Sequence, residues 1–170
     1  QYKEICNNHI AVLVGGDTKD GKVNYNSSNS FVKELKRIKN LLNLNLVLTF
    51  SRRTPKLLLE SLKIFNVLKS TESENPYPGL LKNAKLIIVT SDSVNMISEA
   101  LSSGIPVLIY DLFHQRGRKH TFIQNLIKNK FTNYSYNLKF KKQINQMKYK
   151  PLNESNRIGK ILQKKLLTKY

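Results

Sequence analysis

The sequence predicts an α/β domain: one parallel sheet wound by right-handed crossovers, with helices on both faces in three layers. Three observations predict it. Short aliphatic and β-branched runs alternate with stretches whose apolar residues recur at helical spacing. The segment LIIVTSDSVNMISEALSSGIPVLIY reads as strand, helix and strand in immediate succession. No internal repeat or low-complexity linker breaks this order, so a single domain over residues 1–170 is expected.

The first element is HIAVLVGG, an aliphatic strand closed by Gly15 and Gly16. After the polar run DTKDGKVNYNSSN, Phe31, Leu35, Ile38, Leu41 and Leu42 mark a helix with Asn29 or Ser30 as its N-cap. Leu44, Leu46, Leu48 and Phe50 then alternate along a second strand that stops at Ser51. Thr54 and Pro55 suit the cap and first turn of the next helix, whose buried stripe is Leu58, Leu59, Leu62 and Phe65. A short third strand follows around Asn66 to Lys69. The prolines of TESENPYPG forbid regular pairing, which leaves a loop and a brief helical turn near Leu80. LIIVT is the fourth strand, Ser91 or Asp92 caps the helix after it, and Gly104 ends that helix before the strand PVLIY. A basic loop with His114, Arg116, Arg118 and His120 leads to a helix carrying Phe122, Leu126 and Ile127. Residues 131–150 show no clear period. Asn153 caps a last helix with Ile158, Ile161, Leu162 and Leu166 facing inward.

Composition narrows the classes of function. The one cysteine, Cys6, has no partner for a disulfide, which suits a reducing compartment and excludes zinc ribbons and redox CxxC motifs. A cytoplasmic protein is expected, because no apolar run has the length of a membrane span and QYKEICNN lacks a signal-peptide core. The chain has no initiator methionine and enters a strand almost at once, so an upstream portion is expected. The formal net charge is +18. Lysine and asparagine are spread along the whole chain without an arginine-and-aromatic strip, so this charge reads as a solvated basic surface. General attraction to polyanions and peripheral contact with a membrane face follow from it; a specific nucleic-acid partner does not.

Function is expected at the carboxyl ends of the strands, where open parallel sheets bind their ligands. Four loops meet there: Gly15 and Gly16; Ser51, Arg52 and Arg53; Asn75 to Tyr77; and Ser91 to Asn95. Glycines let a backbone approach a phosphate closely, and the arginine fork matches phosphate oxygens. A helix amino terminus after Ser91 adds free N–H groups and a positive dipole end. An anion site of diphosphate size results, although paired glycines also serve simple turns and no GxGxxG spacing is present. Asp92 would repel phosphate and is expected to cap the helix or orient the loop. Glu99 falls about two turns into its helix, where a carboxylate could accept both hydroxyls of a ribose or simply face solvent. His114 and His120 have no carboxylate or cysteine at ligand spacing, so no metal is expected. The sequence holds no P-loop, nucleophile elbow or Ser/His/Asp set.

VGG, SRRTP, NPYPG, VTSDSVNMISEALSSGIPV and YKPLNESNRI, in that order, resemble the mitochondrial-fission ELM family, which is regarded as GT-B-like. The resemblance spans nearly the whole chain. It implies a Rossmann-like carboxy-terminal domain of a GT-B fold, with the amino-terminal domain absent and a nucleotide-diphosphate sugar held between the two. A likeness to the donor-binding segment of MurG-type transferases and UDP-N-acetylglucosamine epimerases implies that Ser91, Ser93 and Val94 line the phosphates and Glu99 the ribose. The activity so implied is transfer of the sugar to an acceptor that the sequence does not identify, without a cofactor or a metal; no residue is assigned as catalytic. The segment Lys69 to Glu74 matches no base-contacting pattern, which leaves the base open. An alternative implied by the fission role of the plant relative is a GT-B-shaped adaptor without chemistry.

Overall fold

The computed structural model describes residues 8–67, 77–147, 149 and 151. Strands β1 (His9–Val14), β2 (Asn45–Phe50), β3 (Asn66–Val67), β4 (Ala84–Thr90), β5 (Val107–Tyr110) and β6 (Asn133–Tyr134) form one sheet in the order β3-β2-β1-β4-β5-β6. Every pairing in it is parallel. The helices are α1 (Tyr25–Leu42), α2 (Lys56–Leu62), α3 (Tyr77–Lys82), α4 (Val94–Ser102), α5 (Gly117–Lys128) and α6 (Lys142–Gln146). This is the expected Rossmann-like α/β arrangement.

Side-chain alternation along the strands creates two cores and hence three layers. Ile10, Val12, Leu48, Leu86 and Ile88 face α1 and α2, packing against Phe31, Leu35, Ile38, Leu58 and Leu62. Ala11, Leu13, Ile87, Val89 and Ile109 face the other way, against Leu80 of α3, Ile97 and Leu101 of α4, and Ile123 of α5. The central strands are buried on both sides, which is why β1 and β4 read as continuous apolar runs rather than alternating ones.

Several boundaries differ from expectation, each for a local reason. Helix α1 begins over a turn earlier than Asn29. Asn24 Oδ1 accepts from the Ser27 N–H (2.9 Å) while Ser27 Oγ accepts from the Asn24 N–H (3.0 Å), a reciprocal cap that carries the polar residues 25–30 into the helix. Thr54 does not cap α2. Pro55 holds the N-cap position, and the Thr54 hydroxyl turns back to donate to the Gly15 carbonyl (2.7 Å) at the end of β1. Neither Ser91 nor Asp92 caps α4; both are buried at the strand end, and Ser93 Oγ accepts from the Met96 N–H instead (3.4 Å). Arg118 and His120 belong to α5, which starts at Gly117, rather than to the loop before it. The unassigned stretch after Phe131 holds β6, a 3₁₀ turn (Ser135–Asn137) and α6. Arg37 of α1 anchors that turn by donating to the Leu138 (2.7 Å) and Ser135 (3.0 Å) carbonyls. Cys6, Lys69, Asn75 and the helix expected from Asn153 lie outside the described residues.

Strand order places the functional edge. From β1 the chain winds outward through β2 to β3, then returns to the other side of β1 and winds outward again through β4, β5 and β6. The carboxyl ends of β1 and β4 therefore flank the switch point, where the departing loops diverge and leave a crevice.

Candidate functional site

At this switch point the chain ends β1 in Gly15-Gly16 and β4 in Thr90-Ser91-Asp92. The carboxylate of Asp92 is wholly buried and accepts three hydrogen bonds. Thr90 Oγ1 donates to Oδ1 (2.6 Å), while the Gly16 N–H (3.1 Å) and the Arg53 guanidinium (3.0 Å) donate to Oδ2. Thr90 Oγ1 in turn accepts from the Gly15 N–H (2.7 Å). One acidic side chain thus ties the ends of β1, β2 and β4 together. Asp92 orients the loops, one of the two roles expected for it.

The glycines acquire their reason here. A Cβ on Gly15 would collide with the Asp92 carboxylate, and one on Gly16 with the Arg53 carbonyl. The close approach they permit is made by the chain's own atoms, and both amides are already spent on Thr90 and Asp92. Ser51 shapes the turn after β2, its Oγ accepting from the Arg53 N–H (3.2 Å).

In front of this knot lies an open depression of about 540 Å³, lined by Asp17, Thr18, Lys19, Asp20, Arg53, Asp92 and Lys119. An adjoining hollow of about 650 Å³ shares Lys19, Asp20 and Lys119 and adds Val94, Arg116, Arg118 and Phe122. Five cations face the two hollows. Lys119 donates to the Asp92 carbonyl (3.3 Å) and pairs with Asp20 (3.0 Å). Lys19, Arg116 and Arg118 make no ion pair among the described residues.

The residues singled out in the sequence therefore separate. Arg53, Asp92 and Val94 line the hollows; Gly15, Gly16 and Ser51 shape the turns behind them. Arg52 is exposed and lines neither hollow. Ser93 is committed to its cap. Glu99 stands exposed on α4, where its Oε2 accepts from the Tyr77 hydroxyl (3.0 Å). Burial first, and then the Glu99 carboxylate, pushes the Tyr77 hydroxyl well above the usual phenol range, so it stays a donor. Lys19 and Lys119 escaped sequence reasoning. In so lysine-rich a chain nothing distinguishes them until the fold brings them together.

Beside the crevice, Ser91 Oγ, Asp111 Oδ1 and Gln115 Oε1 are buried without a completed hydrogen bond. Burial raises the Asp111 pKa, while the neighbouring Ser91 hydroxyl and the His114 and His120 rings offset part of that rise. The two imidazoles lie 5.9 Å apart, centroid to centroid. Among the described residues no group of three or more acidic, histidine or cysteine side chains is placed to hold a metal ion.

A family model described as Mitochondrial fission ELM1 matches residues 1–166. The chain belongs to this family. An uncharacterized protein of Rickettsia prowazekii (strain Madrid E), RP120, is 34% identical over 164 residues, which cover 89% of this chain and 45% of that protein. The ELM1-family chain thus spans about half the length of the curated relative it matches. Two solved structures superpose on it in part. The MAR1 ribonuclease of Caenorhabditis elegans superposes with a TM-score of 0.47 at 15% identity, over 78% of this chain and 80% of that one. The glycotransferase of kitacinnamycin superposes with a TM-score of 0.45 at 14% identity, over 79% of this chain and 32% of that one. Neither likeness is close enough to transfer a reaction.

Proposed function

We propose that this ELM1-family domain is the carboxy-terminal half of a GT-B-type glycosyltransferase and holds the diphosphate of a nucleotide sugar. The observation that carries the reading is the cationic depression at the switch point, where Lys19, Arg53 and Lys119 face one hollow and Arg116 and Arg118 the next. A nucleoside diphosphate brings two to three negative charges, which the lysines and arginines carried to the sheet edge by the loops and α5 offset. The same charges gather on the departing diphosphate as an acceptor oxygen attacks the sugar and the bond from sugar to diphosphate breaks. The cations then act on the leaving group, and no cofactor is invoked. Glu99, on α4, is the carboxylate offered to ribose hydroxyls, in exchange for the hydrogen bond it accepts from Tyr77. The acceptor and the group that takes its proton are assigned to no residue of this chain.

The reading sets the protein in the cytoplasm, with its basic surface against the inner membrane face. Among the described residues no helix is long and apolar enough to cross a membrane. Calorimetric titration with UDP, GDP and their sugars tests the assignment; absence of binding at millimolar ligand would sink it.

A further inference from the structure

The loop after β1 crosses the end of β4 to reach the segment after β5. Its tip is a tight turn closed by paired backbone bonds between Thr18 and Gly21 (2.9 and 3.3 Å), with Lys19 and Asp20 at the apex. The loop is fastened at its root, where the Asp17 N–H donates to the Arg53 carbonyl (3.2 Å) and Asp17 Oδ1 accepts from the Val23 N–H (2.8 Å). At its far side Gly21 packs against the Phe113 ring, so close that a Cβ there would collide with it. Asp20 Oδ2 then pairs with Lys119 Nζ at 3.0 Å, over the mouth of the depression.

The three carboxylates of the depression are not equivalent. Asp92 is buried and holds three donors, and Asp17 is committed to Val23. Asp20 keeps a third of its side chain in solvent (34%), and among the described residues its carboxylate has Lys119 alone as a partner. Its backbone N–H donates to Thr18 Oγ1 (3.1 Å), which holds the turn but leaves the carboxylate free to swing away. With Lys119 18% and Asp20 34% exposed, the pair opens to solvent on the Asp20 side, where an ion pair adds little and an incoming anion can exchange with it. It also occupies the cation that a phosphate entering the mouth would meet.

We propose that Asp20 is a built-in competitor for the anionic ligand: its carboxylate holds the place of a phosphate on Lys119, and a diphosphate displaces it. This rests on the diphosphate reading above and adds to it a determinant of selectivity. A ligand with two linked phosphates has charge and acceptor oxygens enough to take Lys119 from a single carboxylate while also meeting Lys19 and Arg53. A monoanion offers Lys119 no more than Asp20 already does. The Asp20 side chain, and not the Thr18–Gly21 turn that carries it and Lys19, is then released whenever the site fills.

The experiment titrates pyrophosphate, and separately the monoanion dimethyl phosphate, into the 170-residue chain and into its Asp20→Asn and Asp20→Ser variants, with backbone amide exchange followed at residues 17–23. Both variants keep the turn, and their circular dichroism should match the parent. Pyrophosphate should bind the variants about two- to fivefold tighter, the range expected when one weak competing ion pair is removed. The discrimination against dimethyl phosphate should narrow by a similar factor. Amides 19–21 of the parent should keep their exchange rates when pyrophosphate is bound, because the Thr18–Gly21 turn stays closed while the Asp20 side chain leaves Lys119. Equal pyrophosphate affinity in parent and variants overturns the role of Asp20 while leaving the diphosphate site standing. Loss of affinity in the variants overturns it too, by making Asp20 part of the binding surface. No binding of pyrophosphate to any of the three proteins removes the diphosphate reading, and the competitor with it.

Discussion

The carboxylate of Asp92, at the end of β4, lies 3.0 Å from the guanidinium of Arg53, after β2, and the pair spans the end of β1 between them. The two partners differ sharply in environment. The Asp92 side chain is fully buried, whereas the Arg53 side chain is 46% exposed. Asp92 therefore belongs to the fold and Arg53 to both the fold and the crevice.

Asp92→Ala should destabilise the domain by about 2–4 kcal/mol. It strands the Gly16 N–H and the Thr90 hydroxyl in a buried place and frees a half-solvated arginine, whose exposure keeps the cost below that of a wholly buried pair. Urea unfolding followed by circular dichroism measures the loss. A change below 0.5 kcal/mol, about the level of an ordinary surface substitution, would contradict the role given to this carboxylate.

Two glycines should respond in opposite ways to the same substitution. Gly15→Ala drives a methyl group into the Asp92 carboxylate and should cost about 1–3 kcal/mol, the usual cost of overpacking. Gly79→Ala sits in helix α3 with open space around the new methyl group and should stabilise by about 0.5–1 kcal/mol. Thermal melts of both variants check the contrast.

Alkaline pH should weaken the fold through Tyr110, which is 9% exposed. Burial above all, then the charges of Glu34 and Asp111, push its hydroxyl up to about 12. A folded-state value raised above the ordinary one of about 10 means that the contribution is fully present below pH 10 and is lost as the pH climbs toward 12. Tyr110→Phe should remove on the order of 2 kcal/mol of that pH dependence, as read from urea midpoints between pH 9 and 12.

The adjacent arginines should prove unequal. Arg53 lines the depression and Arg52 does not, so Arg52→Ala should change UDP affinity less than about twofold, and Arg53→Ala should lower it about tenfold or more. Because Arg53→Ala also unpairs Asp92, its binding must be measured well below its own melting temperature.

Much of the architecture was legible in the sequence because the central strands are buried on both faces. Val12, Leu13, Ile87 and Ile88 leave no polar positions to confuse a strand with an amphipathic helix. Caps were less legible, since Asn24, Ser27, Thr54, Ser91 and Ser93 are all competent capping residues and long-range partners decide among them. Thr54 illustrates this: its hydroxyl is claimed by the end of β1, 39 residues away. The crevice was half visible. Loop convergence follows from strand order, but the choice of Arg53 over Arg52, and the arrival of Lys19 and Lys119, depend on how the β1–α1 loop folds over Phe113.

The most direct test of the account is the binding of UDP to the parent chain and to Lys119→Gln, whose long side chain keeps its packing but carries no charge. Calorimetry at low ionic strength should show saturable UDP binding that weakens with added salt, and Lys119→Gln should reduce the affinity about tenfold. Failure of the parent to bind UDP at millimolar concentration, or binding that Lys119→Gln leaves unchanged, would contradict the assignment of this crevice to a nucleotide diphosphate.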